Sequence, residues 1–218
     1  MSKKVAVVIS GCGHQDGAEL RESILSLLYL DINNAEIEIF APDKNQAHVI
    51  NHLDGTEKEG EVRNVLIESA RVARGDIKPL EQAKSEDFDA LLLPGGFGAA
   101  KNCSTLAFDG PELKVDEDYG RLINEFYDAK KPVGAMCIAP AVLVAALKDK
   151  TKPEVTVGEA ENNDLISSLG GVHHPKDTNE ICLDEENKIV TTSAYMREDR
   201  ISKVSEGIRK LVEKLLEM

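Results

Sequence analysis

Short apolar runs alternate along the chain with stretches whose apolar residues recur every three or four positions. Such runs are typical of strands buried on both faces, and such stretches are typical of helices with one face against a core. The predicted strands are residues 4–10, 37–40, 90–93, 132–136, 155–157, 181–183 and 189–192. The predicted helices are one that Asp16 caps and that contains Leu20, Ile24, Leu27 and Leu28, then residues 61–74, 116–130, 138–147 and 201–215. This order predicts an α/β sandwich of three layers around a mostly parallel sheet, with ligands bound at the carboxyl ends of the strands.

Composition narrows the class of protein. No repeat or Pro/Gly/Ser-rich linker interrupts the 218 residues, so one domain over residues 1–218 is expected. The net charge of −13 argues against nucleic acid and anionic membranes as partners. The apolar run at residues 5–9 is too short for a signal segment or a membrane span. The 4 cysteines are scattered without CxxC spacing, which favours a reducing cytoplasm over disulfides or a zinc site.

Cys137 is the candidate nucleophile. It directly follows the predicted strand 132–136 and begins the predicted helix 138–147, where Pro140 falls in the tolerant first turn. Unpaired N–H groups at a helix start favour the thiolate, so a lowered pKa is expected at this strand-to-helix elbow. The alternative is a small buried apolar residue, which is the commoner use of a free cysteine.

Two further groups are predicted at the same sheet edge. The loop after residues 90–93 is glycine-rich, and its amides at Gly96 and Phe97, with the amide of Ile138, could hold an oxyanion. A plain tight turn is the alternative for this loop. Glu19, just beyond the first strand, is the nearest candidate for a carboxyl partner that moves protons. Its alternative role is to stabilise the helix dipole.

The histidines are weaker candidates. Gly13 and His14, in the loop after the first strand, are expected to contribute to the substrate pocket. His48 and His52 are interpreted as solvated or locally packed helix residues, and the pair His173 and His174 as a surface turn. Since no carboxylate or cysteine stands at a recognisable ligand spacing, neither a metal nor a cofactor is predicted.

Several segments together resemble the ElbB-type proteins, a group in the ThiJ/PfpI branch of the class I glutamine-amidotransferase-like superfamily. The resemblance spans nearly the whole chain and implies a flavodoxin-like sandwich, a nucleophile elbow at Cys137, an acidic partner at Glu19 and a homodimer. It also implies a glyoxalase that converts glyoxal to glycolate without glutathione or metal, and an association with isoprenoid biosynthesis. The segments are residues 10–13, 16–19, 40–44, 51–53, 63–68, 94–102, 136–140 and 190–196.

One departure from the wider superfamily affects the chemistry. Its members carry a histidine after a later strand, whereas this chain has Gly158 at the corresponding point. Without that base, an amidotransferase subunit or protease lacks its evident proton donor. Addition of a thiolate to glyoxal or methylglyoxal needs no leaving group, so a dicarbonyl substrate is favoured. A redox or stress-responsive protein that uses Cys137 as a sensor thiol stays an alternative, because it needs the same thiol.

Overall fold

The computed structural model describes residues 2–218 and contains the expected alternation of strands and helices. The strands are β1 (Lys4–Val8), β2 (Glu36–Ala41), β3 (Ile50–Asn51), β4 (Thr56–Glu57), β5 (Lys78–Pro79), β6 (Ala90–Leu93), β7 (Val133–Met136), β8 (Glu154–Val155), β9 (Val172–His173), β10 (Cys182–Asp184) and β11 (Ile189–Thr192). The helices are α1 (Leu20–Ile32), α2 (Val65–Val72), α3 (Phe97–Lys101), α4 (Leu106–Asp109), α5 (Glu117–Asp128), α6 (Ala139–Leu147), α7 (Asn163–Ser168) and α8 (Ile201–Glu217).

A seven-stranded sheet in the order β10-β11-β7-β6-β1-β2-β5 forms the middle layer. All neighbouring pairs are parallel except β10 and β11, which form a hairpin with its turn at residues 185–188. Strands β6 and β7 are buried along their whole length, as their continuous apolar sequence requires. The predicted α/β sandwich with a mostly parallel sheet is therefore confirmed.

Each face of the sheet has its own core. On one face, Leu122, Phe126 and Leu143 from α5 and α6 pack over the strands. On the other face, Ile208 and Leu211 from α8 do so, and α8 also packs beside α1. Among the helices within residues 2–218, none has the length and apolar character that crossing a bilayer would need.

Helix α1 is oriented differently from its prediction. Leu20, Ile24 and Leu28, expected to face the core, are exposed, whereas Glu22 and Ser26 are fully buried. Glu19, rather than Asp16, caps the helix, since its carboxylate accepts the Glu22 N–H at 2.6 Å. The inner face of α1 therefore carries polar groups to the centre of the protein and leaves an apolar face outside.

Three other local predictions need correction. The second helix begins at Val65 rather than at 61, because Asn64 caps it by accepting the Ile67 N–H at 3.0 Å. His52 belongs to the turn of the β3–β4 hairpin rather than to a helix. His173 is buried in β9, not in a surface turn, because this short strand pairs with β8. Strands of two residues leave too little periodicity in the sequence to be recognised.

Candidate active site

Cys137 lies at the turn between β7 and α6, with a backbone φ of +59°. A residue other than glycine rarely adopts this left-handed conformation, and it persists only where the surroundings enforce it. Here the Cys137 N–H donates to the Thr192 carbonyl at 3.1 Å, which ties the turn to the end of β11. The strand-to-helix elbow predicted from the sequence is present in the structure, and it holds the thiol at the carboxyl edge of the sheet.

Glycines beside the elbow allow close packing around the sulfur. A Cβ built on Gly95 would lie 2.5 Å from the Cys137 Cβ and 3.0 Å from its sulfur, so a side chain there would displace the thiol. Gly96 has a φ of +89°, and the N–H groups of Gly96 and Ile138 donate to the Cys137 sulfur. These two amides are therefore available to stabilise a negative charge on sulfur or on an adjacent oxygen.

The carboxyl group that interacts with the Cys137 thiol belongs to Glu22, a residue that the sequence reasoning did not single out. Glu22 is fully buried, and its two carboxyl oxygens accept the N–H groups of Gly95 at 2.9 Å and of Tyr195 at 3.1 Å. It lies three residues after Glu19, so both project from the first turn of α1. The sequence carries no signal for this burial, because Glu22 lies outside the apolar stripe that was expected to face the core.

Burial changes the protonation of this pair. Burial and the nearby charge of Glu19 raise the pKa of Glu22 to about 8, although the two N–H donors oppose the shift. Burial, followed by the charge of Glu22, raises the pKa of the Cys137 thiol, and the amides of Gly96 and Ile138 oppose it. The expectation of a lowered thiol pKa is therefore corrected, because desolvation outweighs the start of the helix. At neutral pH, Glu22 is therefore mostly protonated, with a fraction in the ionised form.

Glu19 lies at the wall of the same cavity as Cys137 but has a structural contact of its own. Its carboxylate caps α1 through the Glu22 N–H, and its main-chain N–H donates to the Gly95 carbonyl at 3.0 Å. The structure thus brings Glu22, and not Glu19, against the thiol. The reason lies in the backbone, because Glu19 is the extended N-cap residue whose carboxylate turns onto the Glu22 N–H, whereas Glu22 lies within the helix.

The other predicted pocket residues divide into two groups. Gly96, Phe97, Ile138 and His14 line the cavity in front of Cys137. The Phe97 amide, however, donates to the His14 carbonyl at 2.7 Å, so it is not free to hold an oxyanion. Gly13 packs away from the cavity, where a Cβ would lie 2.9 Å from the His52 ring.

The cavity itself has a volume of about 340 Å³ and an apolar lining. Cys137 is 7% exposed, so the thiol lies near the bottom of this space rather than at the surface. The remaining lining residues, which the sequence reasoning did not predict, are Ala100, Leu106, Ala107, Gly110, Leu165, Tyr195 and Met196. They come from α3, α4, α7 and the segment after β11, which only the folded chain brings together.

At Gly158, where the superfamily has a histidine, two other side chains lie close to the space that a side chain would need. A Cβ on Gly158 would lie 3.0 Å from the Arg197 Cγ and 3.1 Å from the Ser193 Cβ. The nearby His173 accepts the Val157 N–H through Nε2 at 3.2 Å and does not line the cavity. Within residues 2–218, no group of three or more His, Cys, Asp or Glu side chains is arranged to share a metal ion.

A cysteine at a strand-to-helix elbow on the carboxyl edge of a parallel sheet defines the class of α/β proteins with a nucleophile elbow. Comparison with known proteins specifies the family. The chain belongs to the DJ-1/PfpI family, whose sequence profile matches residues 76–197.

Three relatives cover nearly the whole chain. It is 44% identical to the "ES1 protein homolog, mitochondrial" of Rattus norvegicus, over 99% of this chain and 84% of the rat protein. It is also 44% identical to the "Glutamine amidotransferase-like class 1 domain-containing protein 3, mitochondrial" of Homo sapiens, over 99% of this chain and 83% of the human protein. A crystal structure of an "isoprenoid biosynthesis protein with amidotransferase-like domain" from Ehrlichia chaffeensis superposes with a TM-score of 0.94 at 45% identity, covering 99% of both chains.

These relatives correct one prediction. The rat and human proteins are both named as mitochondrial, which conflicts with a simple cytoplasmic assignment. Unpaired, scattered cysteines indicate a reducing environment, but they carry no information about which reducing compartment holds the protein.

Proposed function

We propose that the protein is a glutathione-independent glyoxalase of the ElbB type, which converts glyoxal to glycolate with Cys137 as nucleophile and Glu22 as proton carrier. The observation that carries the proposal is a largely buried thiol at an apolar cavity, beside a buried carboxyl group whose pKa is raised to about 8. A general base with a pKa close to neutrality is suited to repeated proton transfer.

The reaction balances without an external oxidant. The Cys137 sulfur adds to the aldehyde carbon while the ionised form of Glu22 takes the thiol proton, and Glu22 passes that proton to the carbonyl oxygen, which gives a hemithioacetal and leaves the carboxylate free. The carboxylate then removes the proton on that carbon and returns it to the neighbouring carbon through an enediol, while the hydroxyl proton of the first carbon passes to the oxygen of the second. The first carbon is thereby oxidised to a thioester and its neighbour reduced to an alcohol. Water cleaves the thioester, which frees the thiol and releases glycolate.

The amides of Gly96 and Ile138 support these steps because they already point at the sulfur, beside which the oxyanion develops. Each such donor contributes roughly 3 kcal/mol to transition-state stabilisation in enzymes where it has been removed. An amidotransferase reaction must protonate a departing amine, and the histidine that would donate this proton is replaced by Gly158, with other side chains close to it. This replacement argues against an amidotransferase reaction.

Incubation of the purified protein with glyoxal tests this proposal. We expect glycolate to accumulate to many molar equivalents over enzyme, with no added glutathione or metal, as measured by chromatography. A single equivalent of modified Cys137 without glycolate would instead support the sensor alternative. Ammonia release from glutamine would support the amidotransferase alternative.

We infer further that the protein forms a homodimer through the exposed face of α1. Its four exposed apolar side chains, Leu20, Ile24, Leu28 and Ile32, are 42% to 59% accessible. The exposed charged residues Arg21 and Asp31 flank them.

The positions of these residues are symmetric about position 26. In an antiparallel pair of α1 helices related by a two-fold axis, Leu20 would meet Ile32 of the second copy, Ile24 would meet Leu28, and Arg21 would meet Asp31. Such self-complementarity, in shape and in charge, is what an interface between identical subunits requires. It also explains why an apolar helix face is left outside the core of one chain.

Replacement of Ile24 with glutamate is expected to convert the dimer to a monomer at micromolar concentration, because it places two like charges near the two-fold axis. Sedimentation velocity measures the change. Leu53→Glu, at a position 93% exposed in the β3–β4 turn, is the matched control and should stay dimeric. A monomeric parent protein, or a dimeric Ile24→Glu variant, would contradict the inference.

A further inference from the structure

The cavity in front of Cys137 is apolar well beyond the reacting groups. Its walls are formed by Phe97, Leu106, Ile138, Leu165 and Met196, with small residues between them. Leu106 is buried within the fold, whereas Phe97 is partly exposed at the cavity. Apolar walls of this kind gain free energy from an apolar ligand that displaces water, and gain little from a small polar one.

The charges that line the cavity restrict the ligand further. Among residues 2–218, the lining includes one carboxylate, that of Glu19, together with His14, and neither a lysine nor an arginine. A carboxylate or phosphate on the substrate would find no cation among the lining side chains to replace its hydration, and Glu19 would repel it. Lys101 lies outside the lining, against the Phe97 ring, and donates to the Gln15 carbonyl. The substrate is therefore uncharged at the end remote from the aldehyde.

The volume also exceeds what glyoxal needs. Four non-hydrogen atoms occupy on the order of 60 Å³, about two water molecules by their share of liquid volume. The cavity has about 340 Å³, within the range of roughly 300–1,000 Å³ that sites for larger organic ligands have. Glyoxal bound at the sulfur would leave most of the apolar wall uncovered.

We propose that the preferred substrate is an uncharged 2-oxoaldehyde with an apolar substituent, such as a phenyl or branched alkyl group. The aldehyde carbon reacts with Cys137, and the substituent lies against Leu106 and Leu165. This inference rests on the proposed glyoxalase reaction and specifies its substrate class. Each methylene of the substrate that packs against the cavity wall should raise kcat/KM about fourfold, because its removal from water favours the bound state.

Steady-state kinetics with glyoxal, methylglyoxal and phenylglyoxal test the inference. Each kcat/KM is divided by the rate of the same aldehyde with free N-acetylcysteine, which removes differences in intrinsic reactivity. We expect the normalised value for phenylglyoxal to exceed that for glyoxal by about 100-fold or more. In Ala107→Leu, whose new side chain would occupy the cavity, the ratio of phenylglyoxal to glyoxal should fall at least about tenfold. The exposed Ala129, which does not line the cavity, provides the matched control Ala129→Leu, and its ratio should equal that of the parent protein.

The two proposals fail in different ways. Turnover of glyoxal with no normalised preference for phenylglyoxal, and no change of the ratio in Ala107→Leu, would overturn the substrate inference alone. A folded protein that turns over none of the three aldehydes would overturn the glyoxalase proposal, and the substrate inference with it.

Discussion

Replacement of Cys137 with serine is expected to abolish the conversion of glyoxal to glycolate, with a loss of about a thousandfold or more in kcat/KM. A serine hydroxyl is a far weaker acid than a thiol, and the buried Glu22 cannot deprotonate it at neutral pH. The hydroxyl is smaller than the thiol, so the elbow should keep its left-handed backbone. Release of glycolate, followed by chromatography, measures the loss.

Cys12→Ser is the control for this experiment. Cys12 is partly exposed and does not line the cavity, so its replacement should leave glycolate formation within about twofold of the parent. Circular dichroism and thermal unfolding establish that both variants are folded. A folded Cys137→Ser protein that forms glycolate at the parent rate would remove Cys137 from the mechanism.

Replacement of Glu22 with glutamine is expected to lower kcat/KM about a hundredfold, because the amide cannot accept the thiol proton. The same change should make Cys137 more reactive toward iodoacetamide at pH 9, where Glu22 is ionised in the parent protein. The charge of Glu22 and its hydrogen bond both raise the pKa of the Cys137 thiol, so their removal lowers that pKa and enlarges the thiolate fraction. A variant in which Cys137 reacts faster with iodoacetamide, while glyoxal is turned over more slowly, is what the loss of a proton carrier predicts.

The pH dependence follows from the sign of the Glu22 shift. A carboxyl with its pKa raised to about 8 is mostly protonated below that pH and cannot act as a base there. In the parent protein, kcat/KM should therefore rise with pH, reach half of its maximum near 8 and level off above that pH, and this limb should be absent from Glu22→Gln. An unchanged pH profile in that variant would contradict the assignment.

Glu19→Gln provides the matched control one helical turn earlier. Its amide oxygen can still accept the Glu22 N–H, so the cap of α1 is kept. We expect kcat/KM at its plateau to stay within about threefold of the parent. Because the charge of Glu19 raises the pKa of Glu22, the rising limb should shift to lower pH. A hundredfold loss at the plateau would return the proton-carrier role to Glu19.

Much of the architecture was predictable because it depends on patterns within short segments. The continuous apolar runs of β1, β6 and β7 predict buried parallel strands, and Cys137 stands directly after the last of them. In a parallel sheet, every strand of this kind delivers its carboxyl end to one edge. The nucleophile and the glycine loop after β6 could therefore be brought together from the sequence.

The carboxyl partner could not be chosen in the same way. Glu19 and Glu22 both lie in the first turn of α1, and their spacing alone does not reveal which one faces the elbow. Which of the two glutamates faces the elbow depends on how α1 is rotated about its own axis. That rotation buries Ser23 and Ser26 and exposes Ile24 and Leu28, opposite to what the apolar stripe predicts. If the proposed dimer forms, the exposed apolar stripe of α1 is buried against a second chain rather than against the core.

The sequence by itself determined the sheet, the elbow and which cysteine stands at that elbow, since each follows from local periodicity and from the order of elements. Tertiary structure decided the protonation of that cysteine and the shape of its pocket. A helix start favours the thiolate, but burial beside Glu22 raises the thiol pKa by a larger effect. Desolvation is the sum of everything packed around a group, and residues as distant in the chain as Ile9, Ala18 and Ala194 share the buried cluster of Cys137 and supply it.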